Sequence, residues 1–262
     1  PLLPLFLLHL SNSLFYLNMG TNTNHDDIFN KPQKASDFKF GQTVVSVFDD
    51  MVTRSVPFYL EIQRMMTEMA SDFAVAGTNV YDLGCSTGTT LINLDKVLDP
   101  AVGFVGIDES EEMLKKCRTN FETEGVKRKF DLQRVDLNQG VRIENASVVV
   151  MCLTLQFIRP LYREKLLKEI FQQMNDNSCF ILIEKVLGED SLFNRLFIDY
   201  YYDFKRRNHY NDMEIAQKRE ALENVLIPYK LLENRELLLN TGFRYVDTFF
   251  KWYNFSGMIA VK

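Results

Sequence analysis

The chain has 262 residues, enough for one substantial core, so a single α/β domain with an insertion is expected rather than two independent domains. A formal net charge of −5 argues against a protein whose main work is neutralising a phosphate backbone. The four cysteines, Cys85, Cys117, Cys152 and Cys179, form no C-x-x-C pair, which leaves no zinc motif and reads as buried thiols in a reducing, cytoplasmic compartment.

Residues 1 to 18 are apolar, yet they have neither the positive flank and cleavage site of a secretory signal nor the roughly 20 uninterrupted apolar residues of a membrane span. Met19 then opens a polar stretch. We expect residues 1–18 to be upstream sequence outside the folded protein, a tethering segment being the other reading, and residues 19–56 to form an N-terminal arm. From Pro57 to Phe73, Tyr59, Ile62, Met65, Met66 and Met69 recur at helical spacing and predict an amphipathic helix whose methionines serve the core.

Short apolar runs then alternate with helical patterns. Strands are expected near Asn79–Cys85, Phe104–Asp108, Phe130–Asp136, Ser147–Leu153 and Cys179–Lys185. Helices are expected near Thr89–Val97, Glu111–Glu122 and Leu161–Met174. This β-α alternation predicts a mostly parallel sheet covered on both faces. The stretch from Glu189 to Asn240 breaks the rhythm with helical and aromatic sequence and reads as a helical insertion, a natural lid. After it, Gly242–Lys262 alternates apolar and polar residues around a turn at Asn254–Gly257, predicting a terminal antiparallel hairpin. Residues 57–262 are thus expected to form the α/β domain, with the lid at about 189–240.

The segment VYDLGCSTGTT, Val80 to Thr90, ends a strand in glycines and opens a helix. Gly84 and Gly88 can present backbone N–H groups there and let a ligand approach the main chain. The run DLGCSTG is not G-x-G-x-x-G, because Ser86 stands in a usual glycine slot, so a pyrophosphate cradle is not indicated. Asp108 closes the second strand, where its carboxylate can accept from both hydroxyls of a ribose, and Asp136 closes the third, placed for an adenine amino group. For Gly84 and Gly88 alone, a tight strand-to-helix turn is the competing reading. Together with strand-end acids, they favour a nucleoside site at the switch point of the sheet.

That arrangement, with Asp82 before the glycine turn, resembles the Rossmann-like fold of S-adenosylmethionine-dependent methyltransferases. A narrower resemblance rests on VFDDMVTRSVPFY (Val47–Tyr59), VYDLGCS, IENASVVVMCLTLQFI (Ile143–Ile158), FKRRNHYNDMEIAQKREALENV (Phe204–Val225) and NFSGMIAVK (Asn254–Lys262). From about Asp27 to Lys262 the chain is similar to the carboxy-S-adenosyl-L-methionine synthase family. The resemblance implies an enzyme that converts S-adenosylmethionine and prephenate to carboxy-S-adenosylmethionine and phenylpyruvate, for 5-oxyacetic acid uridine at the tRNA wobble position. It also implies a homodimer with no membrane association and no need to bind nucleic acid directly.

Carried over to this sequence, the resemblance implies that Tyr59, the backbone of Gly84, Cys85 and Ser86, Asp108 with Glu109, Asp136 with Leu137, and Cys152 line the cofactor. It further implies that Arg219 holds the added carboxylate. Cys152 stands where the family usually has asparagine, and a thiol is a poor substitute for an amide. Glu109, where asparagine is common, can still accept from a ribose hydroxyl. By pattern alone Arg219 would instead pair with Glu223 on a solvated helix face, and Phe204–Arg207 would be an exposed basic surface. The implied chemistry releases carbon dioxide and hydroxide from prephenate, and the hydroxide takes a proton from the sulfonium methyl. No histidine base is then needed, and none lies in the nucleotide motifs. An ordinary methyltransferase whose Arg219 binds a substrate anion, and a non-catalytic carrier of the modified cofactor, are the competing readings.

Overall fold

A computed structural model describes residues 25–32 and 37–262. The expectation for residues 1–18 lies outside the described residues. The chain first forms α1 (Gln42–Val45), α2 (Phe48–Ser55) and α3 (Tyr59–Phe73), then β1 (Asn79–Leu83), α4 (Thr89–Asp95), β2 (Gly103–Asp108), α5 (Glu111–Glu124) and β3 (Phe130–Arg134). It continues with β4 (Ala146–Cys152), α6 (Pro160–Gln173), β5 (Met174–Leu187), α7 (Ser191–Arg207), α8 (Asp212–Leu222), β6 (Tyr229–Lys230), α9 (Leu231–Thr241), β7 (Tyr245–Trp252) and β8 (Phe255–Val261).

The main path of the sheet runs β3-β2-β1-β4-β5-β8-β7, with the first five strands parallel and β8 antiparallel to both β5 and β7. Because successive side chains on a strand point to opposite faces, β4 can fill two cores at once. Val148 and Val150 pack with Ile62 and Met66 of α3, whereas Val149 and Met151 pack with Leu167 and Ile170 of α6. Every one of these side chains is essentially inaccessible to water. The expected parallel sheet covered on both faces is what forms.

Local signals explain the element ends. Ser110 caps α5 by accepting the N–H of Met113, Glu111 and Glu112 sit in the first turn, and Gly125 ends the helix at φ 73°. The α3 helix starts at Tyr59 rather than Pro57, because Phe58 takes a left-handed conformation at φ 55°. The terminal turn is at Tyr253 and Asn254, not at Asn254–Gly257, since Trp252 and Phe255 already pair across the hairpin. Gly257 belongs inside β8, where a Cβ would come within 2.8 Å of Ile183 Cδ1 and 2.9 Å of Phe249 Cζ.

The helical stretch expected over 189–240 divides in two. Its last part, α9, packs on the sheet through Leu238 and contacts α6 and β7. The first part, α7, packs on the strand ends through Tyr201 against Phe255 and Phe204 against Trp252, and α8 follows it. There they meet the arm, where Arg54 Nη2 donates to the His209 carbonyl at 3.0 Å and Asn208 Nδ2 donates to the Arg54 carbonyl at 3.0 Å.

Candidate active site

A cavity of about 380 Å³ opens at the carboxyl ends of the parallel strands, where ligands bind open α/β sheets. All ten residues singled out above line it: Tyr59 from α3; Gly84, Cys85 and Ser86 after β1; Asp108 and Glu109 after β2; Asp136 and Leu137 after β3; Cys152 ending β4; and Arg219 on α8.

The turn after β1 is built differently from the expectation of outward-facing amides. Gly84 and Cys85 donate their N–H groups to the Ile107 carbonyl at 2.7 and 2.9 Å, and Ser86 donates to Asp108 Oδ2 at 2.9 Å. Gly84 has φ 90°, and a side chain there would collide with Thr154, whose Cγ2 would be 2.6 Å from the new atom. Glycine is therefore required for backbone conformation and for packing, not for an anion cradle.

Asp108 Oδ1 accepts from the Ser110 N–H at 2.9 Å, and the Glu109 N–H adds to these bonds, so backbone donors hold the carboxylate in place at the cavity wall. Asp136 differs, because its Oδ1 accepts from both the backbone and the side chain of Asn138 at 2.9 Å, which holds its carboxyl below the usual range. Its main contact is thus a turn cap, with Oδ2 held only weakly by Gln139 at 3.4 Å. Asp82 lies beneath the turn, and its Oδ1 is buried with no partner among the described residues. Burial, reinforced by nearby Asp108, pushes its pKa up to about 7. Asp82 is not among the residues lining the cavity, so it sits behind the turn rather than in its wall.

Burial raises the thiol of Cys152 and the phenol of Tyr59 far above their ordinary values, so both stay protonated. Arg219 is exposed at the rim and forms no ion pair among the described residues, so the alternative pairing with Glu223 is not made. The Phe204–Arg207 stretch also splits. Arg206 is on the surface with Asp203 and Asp212, but Lys205 is 5% exposed and lines the cavity.

The sequence reading missed the roof and the cations beneath it. Phe38, Phe40 and Phe48 of the arm line the cavity, tied down where the Phe38 N–H donates to the Ala221 carbonyl at 3.0 Å and Ser110 Oγ donates to the Phe40 carbonyl at 2.7 Å. Thr87 Oγ1 donates to Asp49 Oδ1 at 2.7 Å and fixes α2 in the same way. Lys185, Lys205 and Lys218 line the far side. A lysine at the end of the wholly apolar run Cys179–Ile183, and another inside an aromatic helix, were the available signals.

Sheet order, glycine turn and strand-end acids define an S-adenosylmethionine-dependent enzyme of the Rossmann-like methyltransferase fold. Residues 80–177 match the family model described as a methyltransferase domain. A SAM-dependent methyltransferase structure from Aquifex aeolicus superposes with a TM-score of 0.58 at 17% identity, covering 85% of this chain and 99% of that one. The chain belongs to the carboxy-S-adenosyl-L-methionine synthase family. It is 58% identical over 241 residues to the carboxy-S-adenosyl-L-methionine synthase of Methylococcus capsulatus, covering 91% of this chain and 100% of that relative. It is 43% identical over 238 residues to that of Desulfotalea psychrophila, covering 90% and 97%. Among the described residues no helix is long and apolar enough to cross a membrane.

Proposed function

We propose that this enzyme carboxylates S-adenosylmethionine at the sulfonium methyl, with prephenate as the source of carbon dioxide, in a cytoplasmic homodimer serving tRNA wobble-uridine modification. The observation that carries the reading is Arg219, a guanidinium with no ion pair among the described residues at the rim of the cavity, in a chain 58% identical to a synthase over that relative's full length. A planar fork matches a carboxylate and has nothing to pair with on a methyl group.

The cofactor, when bound, supplies a methyl group acidified by the adjacent sulfonium. Asp108 and Glu109 hold the ribose, Asp136 and Leu137 meet the base, and Gly84, Cys85, Ser86, Tyr59 and Cys152 surround the amino-acid end. Arg219 receives the carboxylate that is added. Prephenate gives up carbon dioxide and hydroxide and leaves as phenylpyruvate. The hydroxide takes up the methyl proton and leaves as water, while the carbon dioxide ends on the methyl carbon.

The chain then needs no base of its own. Neither His25 nor His209 lines the cavity, and the Cys152 thiol and Tyr59 phenol are held protonated. Its work is to orient the reactants and to keep water out beneath the aromatic arm. Mass spectrometry of a reaction with S-adenosylmethionine and prephenate tests this. Carboxylated cofactor with an equal amount of phenylpyruvate, over many turnovers, is expected. Methyl transfer to an added acceptor, with prephenate untouched, identifies an ordinary methyltransferase instead.

A further inference from the structure

Lys185 at the end of β5 and Lys205 on α7 bring their ammonium groups over one ring: their Nζ atoms lie 4.8 and 4.9 Å from the centroid of Tyr201. The ring itself is fixed, since the Tyr201 hydroxyl donates to the Ser55 carbonyl at 3.0 Å. Both lysines line the cavity, and through their ammonium groups neither makes a hydrogen bond or ion pair among the described residues; beyond the aromatic rings, Lys205 also feels the more distant Asp26 carboxylate. No acid is hidden elsewhere, because the sequence has no aspartate or glutamate at residues 1–24 or 33–36.

Lys218 is a different case. Its Nζ is 3.1 Å from Ser55 Oγ and 3.5 Å from Asp26 Oδ2, so Asp26, the nearest acid, is already engaged. Burial pushes Lys185 down to about 8 and Lys205 well below its ordinary value, and the neighbouring Lys218 and Lys185 push Lys205 further the same way. Two ammonium groups buried around one ring, with no ion pair of their own and their charged forms disfavoured, oppose folding, and such a site suits an anionic ligand better than a structural role.

The position selects the ligand. The nucleoside acids stand over β2 and β3, whereas Lys185 lies on β5, two residues beyond Ile183, the pairing partner of Cys152. The lysines therefore face the space beyond the sulfonium end of the cofactor. We infer that Lys185 and Lys205 form an anion subsite that holds a carboxylate of the second substrate, an organic acid, against the Tyr201 ring. This inference rests on the reading above, and it divides the cavity's cations into two duties. Arg219 receives the carboxylate that is made, and the lysine pair anchors one that arrives with the donor.

Lys185→Met and Lys205→Met test the assignment in the full chain. Each should raise the prephenate KM by about 30-fold or more and leave S-adenosylmethionine affinity, measured by calorimetry, within about threefold. Melting temperature should hold or rise, because methionine fills the space without a buried charge, while a merely structural lysine would lower it. Lys205→Arg, which keeps the charge, should recover part of the KM. Malonate binding to the S-adenosylmethionine-loaded protein is the second arm. If prephenate is not turned over, yet malonate binds and each methionine variant weakens it about tenfold or more, the subsite stands and the proposed reaction falls. Prephenate KM and malonate affinity both unchanged in the variants would overturn the subsite, as would an equal loss of S-adenosylmethionine affinity. A wild-type protein that neither binds malonate nor uses prephenate overturns it too.

Discussion

Lys218 Nζ lies 3.5 Å from Asp26 Oδ2, joining α8 to the N-terminal arm through two side chains that are 7% and 2% exposed. The same carboxylate accepts from the Tyr210 hydroxyl, so one buried acid holds three parts of the chain together. Asp26→Asn should therefore cost about 3 kcal/mol of stability, the scale for removing one partner of a buried pair. Denaturant unfolding measures it. Lys218→Met in the same chain should recover most of the loss, and failure to do so would show that Asp26 acts through Tyr210 instead.

Arg219→Ala is expected to weaken carboxy-S-adenosylmethionine by about 10-fold, while S-adenosylmethionine changes by less than about threefold, because a charged hydrogen bond at an exposed rim contributes roughly 1–2 kcal/mol. Calorimetry with both ligands on one variant controls for misfolding. Equal losses would assign Arg219 to supporting α8 rather than to recognising the carboxylate.

Gly84→Ala should destabilise the protein by roughly 2–4 kcal/mol, since the position combines φ 90° with a clash against Thr154. Thr154→Ala should relieve only part of that, because the Thr154 Cβ would itself be 2.9 Å from the added atom. A melting temperature for Gly84→Ala equal to wild type would refute the packing account.

Asp82 predicts a pH dependence of the ligand-free protein. Its folded-state pKa is raised from 3.8 to about 7 by burial, with Asp108 adding to it, so between those values the folded form binds more protons than the unfolded form. Stability should fall as pH rises through this window, by up to about 4 kcal/mol for a shift of this size. Asp82→Asn should flatten that part of the profile measured by thermal melts from pH 4 to about 7. Burial also raises Glu184, to about 8, so a slope of the same sign remains in the variant.

What was legible in the sequence follows from the range of each signal. Strand β4 was readable because a run buried on both faces must be continuously apolar, and Asp108 at the end of β2 and Asp136 two residues past β3 were readable as carboxylates at the sheet's carboxyl edge, where the cavity lies. Pairing in three dimensions was not. Ser86 N–H to Asp108 Oδ2 depends on the close approach of two strand ends, and nothing in DLGCSTG states where an amide will point. Lys205 looked like part of a basic run with Arg206 and Arg207, yet a turn of helix carries successive side chains to different faces, and only one of the three meets the cavity. The arm was placed by position alone, without its role as roof, because its contacts to Ala221 and Ser110 join residues far apart in the chain.

Those arm contacts bear on time as well as on place. The bonds from Phe38 to Ala221 and from Ser110 to Phe40 strap the arm across the cavity mouth, with Phe38 and Phe40 turned inward. On the proposed function, a nucleoside bound beneath this strap is expected to leave when the arm opens locally, so its residence time would depend on that opening as well as on its own contacts. Affinity and escape rate thereby become separable properties. If the product is collected by a second enzyme, as the proposed function has it, it could be held for long periods by a site whose direct grip on it is modest.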